Sequence, residues 1–159
     1  MTVFRTRDGE EARREICARF YAASMEVVEE RGRRFAARFE TVRLGPLVVG
    51  DMRCGADVRM RFGELGAYHV NGPLSGGLVR GQGAGVALGG TPERGTVLDP
   101  VGRVVVDRWA GDCRVGAVKV EAVALRRRLE ELLGRTPSRR LVLAPTLDLA
   151  RGAGRDGPP

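Results

Sequence analysis

Residues 57–75, DVRMRFGELGAYHVNGPLS, decide the fold class. Val58, Met60 and Phe62 alternate with Arg59 and Arg61. A period of two sends successive side chains to opposite faces of a strand, so one face here is apolar and the other carries two guanidiniums. Gly63 and Gly66 then punctuate the chain before a second run through YHVN. Outward in both directions the same grammar repeats: LGPLVVGDMRCG upstream, then GGLVRGQGAGVALGG, GTVLDP, GRVVVDRW and CRVGAVKV downstream. Roughly seven short strands at about 8–12-residue spacing, with turn signals between them, predict an antiparallel sandwich or barrel. No strand–helix–strand alternation occurs, which argues against a parallel α/β sheet. At the upstream end Phe35, Ala37 and Phe39 share one phase while Val42 and Leu44 take the other, predicting a bulge near Glu40–Thr41.

Helices flank this β region. Asp8 is a capping residue, Glu11 follows at the capping-box position, and Ala12, Ile16 and Phe20 form an apolar stripe, so residues 8–21 read as a helix. A mixed stretch follows it. EAVALRRRLEELLG, residues 121–134, is the second helix: Leu125, Leu129, Leu132 and Leu133 share a face, with Arg126–Glu130 and Arg127–Glu131 as i,i+4 pairs and Gly134 as C-cap. That leucine face is either a cover for the open barrel or half of a subunit contact. The expected organisation is an N-terminal helical segment over 1–34 and a β-barrel over 35–120. A C-terminal helix and closing strand over 121–150 belong to the same domain, and a Gly/Pro-rich tail over 151–159 is expected to be disordered.

The composition excludes several classes. The chain has 159 residues, enough for one domain. Its 43% hydrophobic content argues against a disordered chain, and no apolar run is long enough to span a bilayer. The first residues hold no secretory apolar core, which makes a cytoplasmic location the expectation. A net charge of +7 invites a nucleic-acid reading, yet Lys119 is the one lysine among 27 basic residues. The basic excess is spread evenly along the chain rather than gathered in a stripe, so direct DNA contact is not expected.

Candidate chemistry is sparse. Cys17, Cys54 and Cys113 are widely spaced and read as free thiols. GQGAGVALGG, residues 81–90, lies between strands and lacks the lysine of a phosphate loop, so it reads as a hairpin. One histidine cannot complete a metal set, so neither a metal nor another cofactor is expected. His69 is either a hydrogen-bonded residue of the barrel wall or a polar group of a ligand pocket. Trp109 offers a ring for stacking if it does not merely pack the sheet edge, and Arg59 offers a fork for a carboxylate. Arg59, Tyr68, His69 and Trp109 are therefore the ligand-binding candidates, with no catalytic residue assigned.

The ordered segments FRTRD, RFAARFETVRLGPLVVGDMRCGADV, YHVNGPLSG, DRWAGDCRVGAVKVE, LEELLGR and LAPTLDL resemble the N-terminal ligand-binding domain of AraC-type transcription regulators. The resemblance spans about residues 4–152, nearly the whole chain. It implies a cupin-like jelly roll that binds a small-molecule effector. It also implies that the helix from Leu125 mediates a homodimer, or a mixed dimer with a full-length regulator. In the family a pair of helix-turn-helix units follows, whereas this sequence runs into RGAGRDGPP, so the expectation is a regulator truncated before its DNA-binding half. Where the family's barrels carry Pro–Gly, this chain has Pro92–Glu93. Two alternatives stand beside it: a stand-alone small-molecule-binding cupin protein, and a metal-independent cupin isomerase using His69 with Tyr68, Asp57 or Glu64.

Overall fold

The computed structural model describes residues 1–28 and 32–150. The expected tail over 151–159 lies outside the described residues. In chain order the elements are β1 (Thr2–Thr6), α1 (Gly9–Arg19), β2 (Ala23–Val27), β3 (Ala37–Leu44), β4 (Leu47–Arg53), β5 (Val58–Phe62) and β6 (Ala67–Ser75). There follow β7 (Leu78–Gln82), β8 (Leu88–Gly90), β9 (Arg94–Leu98), β10 (Val104–Trp109), β11 (Arg114–Glu121), α2 (Ala122–Leu133) and β12 (Thr146–Asp148).

The strands form two antiparallel sheets. One runs β1-β3-β4-β11-β6-β9-β12 and the other β2-β5-β10-β7-β8. Within them, β4-β11-β6-β9 facing β5-β10-β7-β8 is the strand order of a jelly roll, in which the chain rolls up as two Greek keys. β1 and β3 widen one edge of the first sheet, β12 closes its other edge, and β2 widens the second sheet. The jelly roll is the one expected; its sheets pack face to face as a sandwich instead of joining into a closed barrel.

The core follows the alternation that set the fold class. Val58 and Met60 are buried, Phe62 packs against them, and Arg59 and Arg61 face solvent. Phe39 and Val104 are among the largest fully buried side chains. β3 departs from expectation: its buried residues Ala37, Phe39 and Thr41 keep one phase, and its register with β4 is unbroken from Arg38 to Leu44. The bulge expected at Glu40–Thr41 is therefore absent. Val42 changes phase in the sequence because this end of β3 runs out toward the surface, where alternation no longer reports on a core.

The bulge lies instead in β10. Val106 pairs with Met60 of β5, but Trp109 pairs with Val58, so three residues on β10 advance against two on its partner. The same slip occurs against β7. An extra residue in one strand inverts its side-chain phase. Val104, Val106 and Trp109 consequently all face inward, although strict alternation would have turned Arg108 into the core.

Asp8 caps α1, its Oδ1 accepting from the Glu11 N–H at 2.9 Å. The return bond of a capping box does not form, because the Asp8 N–H donates to Thr6 Oγ1. β1 and β2 fall in the stretch read as helical and mixed. Gly134 ends α2 in a left-handed conformation at φ 66°, its N–H donating to the Glu130 carbonyl. Arg126 pairs with Glu130 as expected, whereas Glu131 pairs with Arg128 in place of Arg127. β7 and β8 form the hairpin expected over 81–90, turned through Gly83 at φ 57°. Pro92–Glu93 makes a two-residue turn between Thr91 and Arg94 with no positive φ, so it is not one of the primed hairpin turns.

One consequence of the register was hidden by the even spread of charge. Arg5, Arg38 and Arg53 are direct cross-strand neighbours on β1, β3 and β4, and Arg7 and Arg114 line the same groove. Like charges placed opposite each other are unfavourable. Glu40 beside Arg38 and Asp51 beside Arg114 offset two of them. A basic row thus exists in space that does not exist in sequence.

Candidate functional site: a small apolar cavity between the sheets

The two sheets and α1 enclose a cavity of about 70 Å3. Its wall is mostly apolar, with His69 and Asn71 from β6, Trp109 from β10, and Ile16, Phe20 and Tyr21 from α1 and the turn after it. His69 and Asn71 lie two apart on one strand and so share a face. His69 Nε2 donates to Asn71 Oδ1 at 2.9 Å, and the Tyr21 hydroxyl donates to His69 Nδ1 at 3.0 Å. Both ring nitrogens are used, and the pattern fixes the neutral tautomer with its proton on Nε2. Burial pushes the His69 pKa down to about 4, partly offset by the Asn71 hydrogen bond and reinforced by the Lys119 charge. The Asn71 amide nitrogen has no hydrogen-bond partner among the described residues, so the NH2 group of this cavity-lining residue keeps both of its N–H donors free.

The N-terminal segment is fastened over this cavity by Lys119. Its ammonium donates to the Phe20 carbonyl at 2.8 Å and lies 4.5 Å from the centre of the Tyr21 ring. A cation over an aromatic face adds electrostatic attraction to that hydrogen bond. Phe20 also needs the absence of a side chain at residue 50, since a Cβ on Gly50 would come within 2.9 Å of its ring.

The four candidates separate. His69 and Trp109 line the cavity; Arg59 and Tyr68 do not. Arg59 stands on the solvent face of β5, opposite Glu26 of β2. Tyr68 precedes His69 and therefore points to the other side of the sheet, where its hydroxyl donates to the Leu141 carbonyl under the segment that follows α2. Neither side chain therefore reaches this cavity. Trp109 presents its ring alone, because its Nε1–H donates to the Cys113 carbonyl at 3.0 Å. Asn71, Tyr21, Phe20 and Lys119 were not among the candidates. Asn71 was legible as the same-face neighbour of His69, and Lys119 stood out as the lone lysine.

The partners required for acid–base work with His69 are dispersed. The Asp57 carboxylate accepts from the Gly111 N–H at 2.8 Å and from Arg108 at 2.9 Å; these donors hold its pKa below the ordinary range. Glu64 accepts from the Gly102 N–H. Neither lines the cavity. Cys17, Cys54 and Cys113 are free thiols, and burial raises the pKa of Cys113 to about 12.

A family model described as the AraC-binding-like domain matches residues 12–156. The chain belongs to this family. A curated relative, the "Probable thc operon regulatory protein" of Rhodococcus erythropolis, is 32% identical over 124 residues, covering 76% of this chain and 37% of that protein. The chain thus spans about a third of the length of the curated relative it matches. Among solved structures, the AraC-like transcriptional activator CuxR superposes with a TM-score of 0.62 at 14% identity, over 84% of this chain and 52% of that one. That likeness shows a shared fold. A looser one, with a TM-score of 0.40 at 16% identity, is to a cupin 2 conserved barrel domain protein from Salinispora arenicola, over 67% of this chain and 90% of that one.

Proposed function

We propose that this domain senses a small-molecule effector held between its sheets, with no catalytic step, and passes the signal on through its subunit contact. The observation that carries the reading is the cavity itself, an apolar chamber with a ring at Trp109 and an unused amide NH2 at Asn71, capped by Phe20 and Tyr21. Drug-sized ligands take pockets of roughly 300–1,000 Å3. At about 70 Å3 the chamber takes only a molecule of a few non-hydrogen atoms, unless Phe20–Tyr21 swings outward. The effector is accordingly small, with an apolar body and one acceptor for Asn71. Membership of a regulator family supports the non-enzymatic reading and a cytoplasmic location, where a regulator meets DNA. The described residues contain two helices and no helix-turn-helix pair, so in this reading they influence DNA indirectly.

Thermal unfolding across a panel of short alcohols, amides, nitriles and pentoses tests this. A ligand at about 100 times its Kd stabilises by about 2.7 kcal/mol, which raises Tm by several degrees in a domain of this size. The upward shift should be lost in Asn71→Leu and in Trp109→Leu. Equal shifts in wild type and both variants would place the ligand elsewhere and sink the reading.

Dimerisation through α2 is the second part. α2 buries no residue fully. Leu125 and Leu129 lean on the segment after the helix, together with Pro137 and Leu141, while Leu132 is 69% exposed and Leu133 47%. Such outward leucines suit a second copy or a full-length regulator. Sedimentation equilibrium should show a homodimer that Leu132→Glu converts to monomer without loss of fold. A strict monomer in the wild type, with no mixed dimer formed with a full-length relative, would remove this part.

A further inference from the structure

Arg80 points between the sheets from β7 and is 4% exposed. Its Nη2 donates to the Val97 carbonyl at 2.6 Å and to the Pro145 carbonyl at 3.0 Å, and its Nε–H is buried without a partner. Among the described residues no carboxylate meets it. Asp99, the acid that shares its groove, is engaged by Arg140 instead. A buried cation supported only by carbonyl dipoles is costly, and one buried N–H left unmade adds to the cost.

Arg80 lines a groove of about 460 Å3 that shares no residue with the Trp109 cavity. Unlike that cavity, this volume lies in the range of small-molecule pockets. Its rim is apolar and open to solvent: Val86, Val101, Val142 and Leu143 are all exposed large hydrophobics. Exposed apolar side chains gathered around one concavity mark a binding surface more than scattered ones do.

We propose that this groove is a second ligand site, taking a monocarboxylate with an apolar body whose carboxylate is received by the Arg80 guanidinium and whose body lies along Leu88, Val142 and Leu143. A planar guanidinium and a carboxylate match in charge and geometry. One negative charge fits better than two, because the site offers one unpaired cation and a phosphate dianion would press its second charge against Asp99. The site stands apart from the effector reading above, since neither Trp109 nor Asn71 takes part in it.

The test uses octanoate and its neutral counterpart octanamide as probes, with binding followed in 1H–15N spectra that include the arginine Nε–H resonances. Octanoate should saturate the protein with shifts at Arg80, Leu88 and Val142 and none at Trp109 or Asn71, and octanamide should bind about tenfold more weakly or worse. Arg80→Met should lose that preference and Arg80→Lys should keep part of it. Because Arg80 also ties Val97 to Pro145, Val142→Asp provides a surface variant that leaves those bonds in place and should weaken octanoate about tenfold by placing a like charge on the rim. Equal affinity for octanoate and octanamide, shifts confined to the Trp109 cavity, no saturable octanoate binding, or unchanged affinity in Val142→Asp would each overturn the proposal.

Discussion

Acidification from pH 6.5 towards about 4 is expected to lower the unfolding free energy by on the order of 3 kcal/mol through His69 alone. The sign follows from where the proton binds. In the unfolded chain the imidazole titrates at its ordinary 6.5, whereas in the folded protein burial holds it near 4. Between those values the unfolded state binds a proton that the native state refuses, so stability falls as pH falls. Above 6.5 both states hold a neutral ring and the contribution is constant. The groups facing the ring are the Tyr21 hydroxyl, the Asn71 amide and the Lys119 ammonium; none is a carboxylate that would welcome an imidazolium. Urea unfolding of wild type and His69→Gln over this range measures the effect, since the variant keeps every other acid-sensitive pair, including Asp51–Arg114 and Asp57–Arg108. The variant should be less stable at neutral pH, having lost the fit of the His69 ring to Tyr21 and Asn71, and the gap should narrow as the pH drops. Parallel curves would mean that His69 is not held neutral by its surroundings.

The second large effect belongs to Trp109. Replacing it by Ala removes an indole that is 6% exposed and leaves the Cys113 carbonyl without its donor. Truncating a buried aromatic residue costs about 3–5 kcal/mol, and the void would merge with the existing cavity. Trp109→Phe retains the ring and loses the hydrogen bond, so its cost should be nearer that of one buried unmade bond, about 1–3 kcal/mol. Denaturant unfolding separates the two. The enlarged apolar space of the Ala variant should also take benzene, seen as a rise in Tm that wild type lacks. A loss below about 1 kcal/mol for Trp109→Ala would show that the indole does not fill the space between the sheets.

Much of this arrangement can be read from residues. The alternation of Val58, Met60 and Phe62 gives a half-buried strand directly, and Asp8 and Gly134 mark helix ends because their chemistry suits those ends. The edge strands β1 and β2 carry no such signal, for neither holds a fully buried residue. A bulge is harder still. Its extra residue is invisible until two partner strands are in place, so a reading by alternation puts Arg108 inside and leaves the role of Trp109 to chemistry. Tyr68 and His69 illustrate the reverse case. Strand geometry alone forbids neighbours from sharing a face, and applying it would have exchanged Tyr68 for Asn71 in the set of candidates. Tyr21 and Lys119 meet across 98 positions of sequence, a closeness that only the packing of the N-terminal segment on β11 creates.

Whether an effector lies between the sheets is decided by a crystal structure of the chain with its stabilising ligand bound. The ligand should lie against the Trp109 ring with an acceptor on the Asn71 amide, with Phe20–Tyr21 displaced outward if it exceeds the cavity's volume. A stabilising ligand seated only in the Arg80 groove, with the Trp109 cavity empty and Tyr21 still bonded to His69, would contradict it.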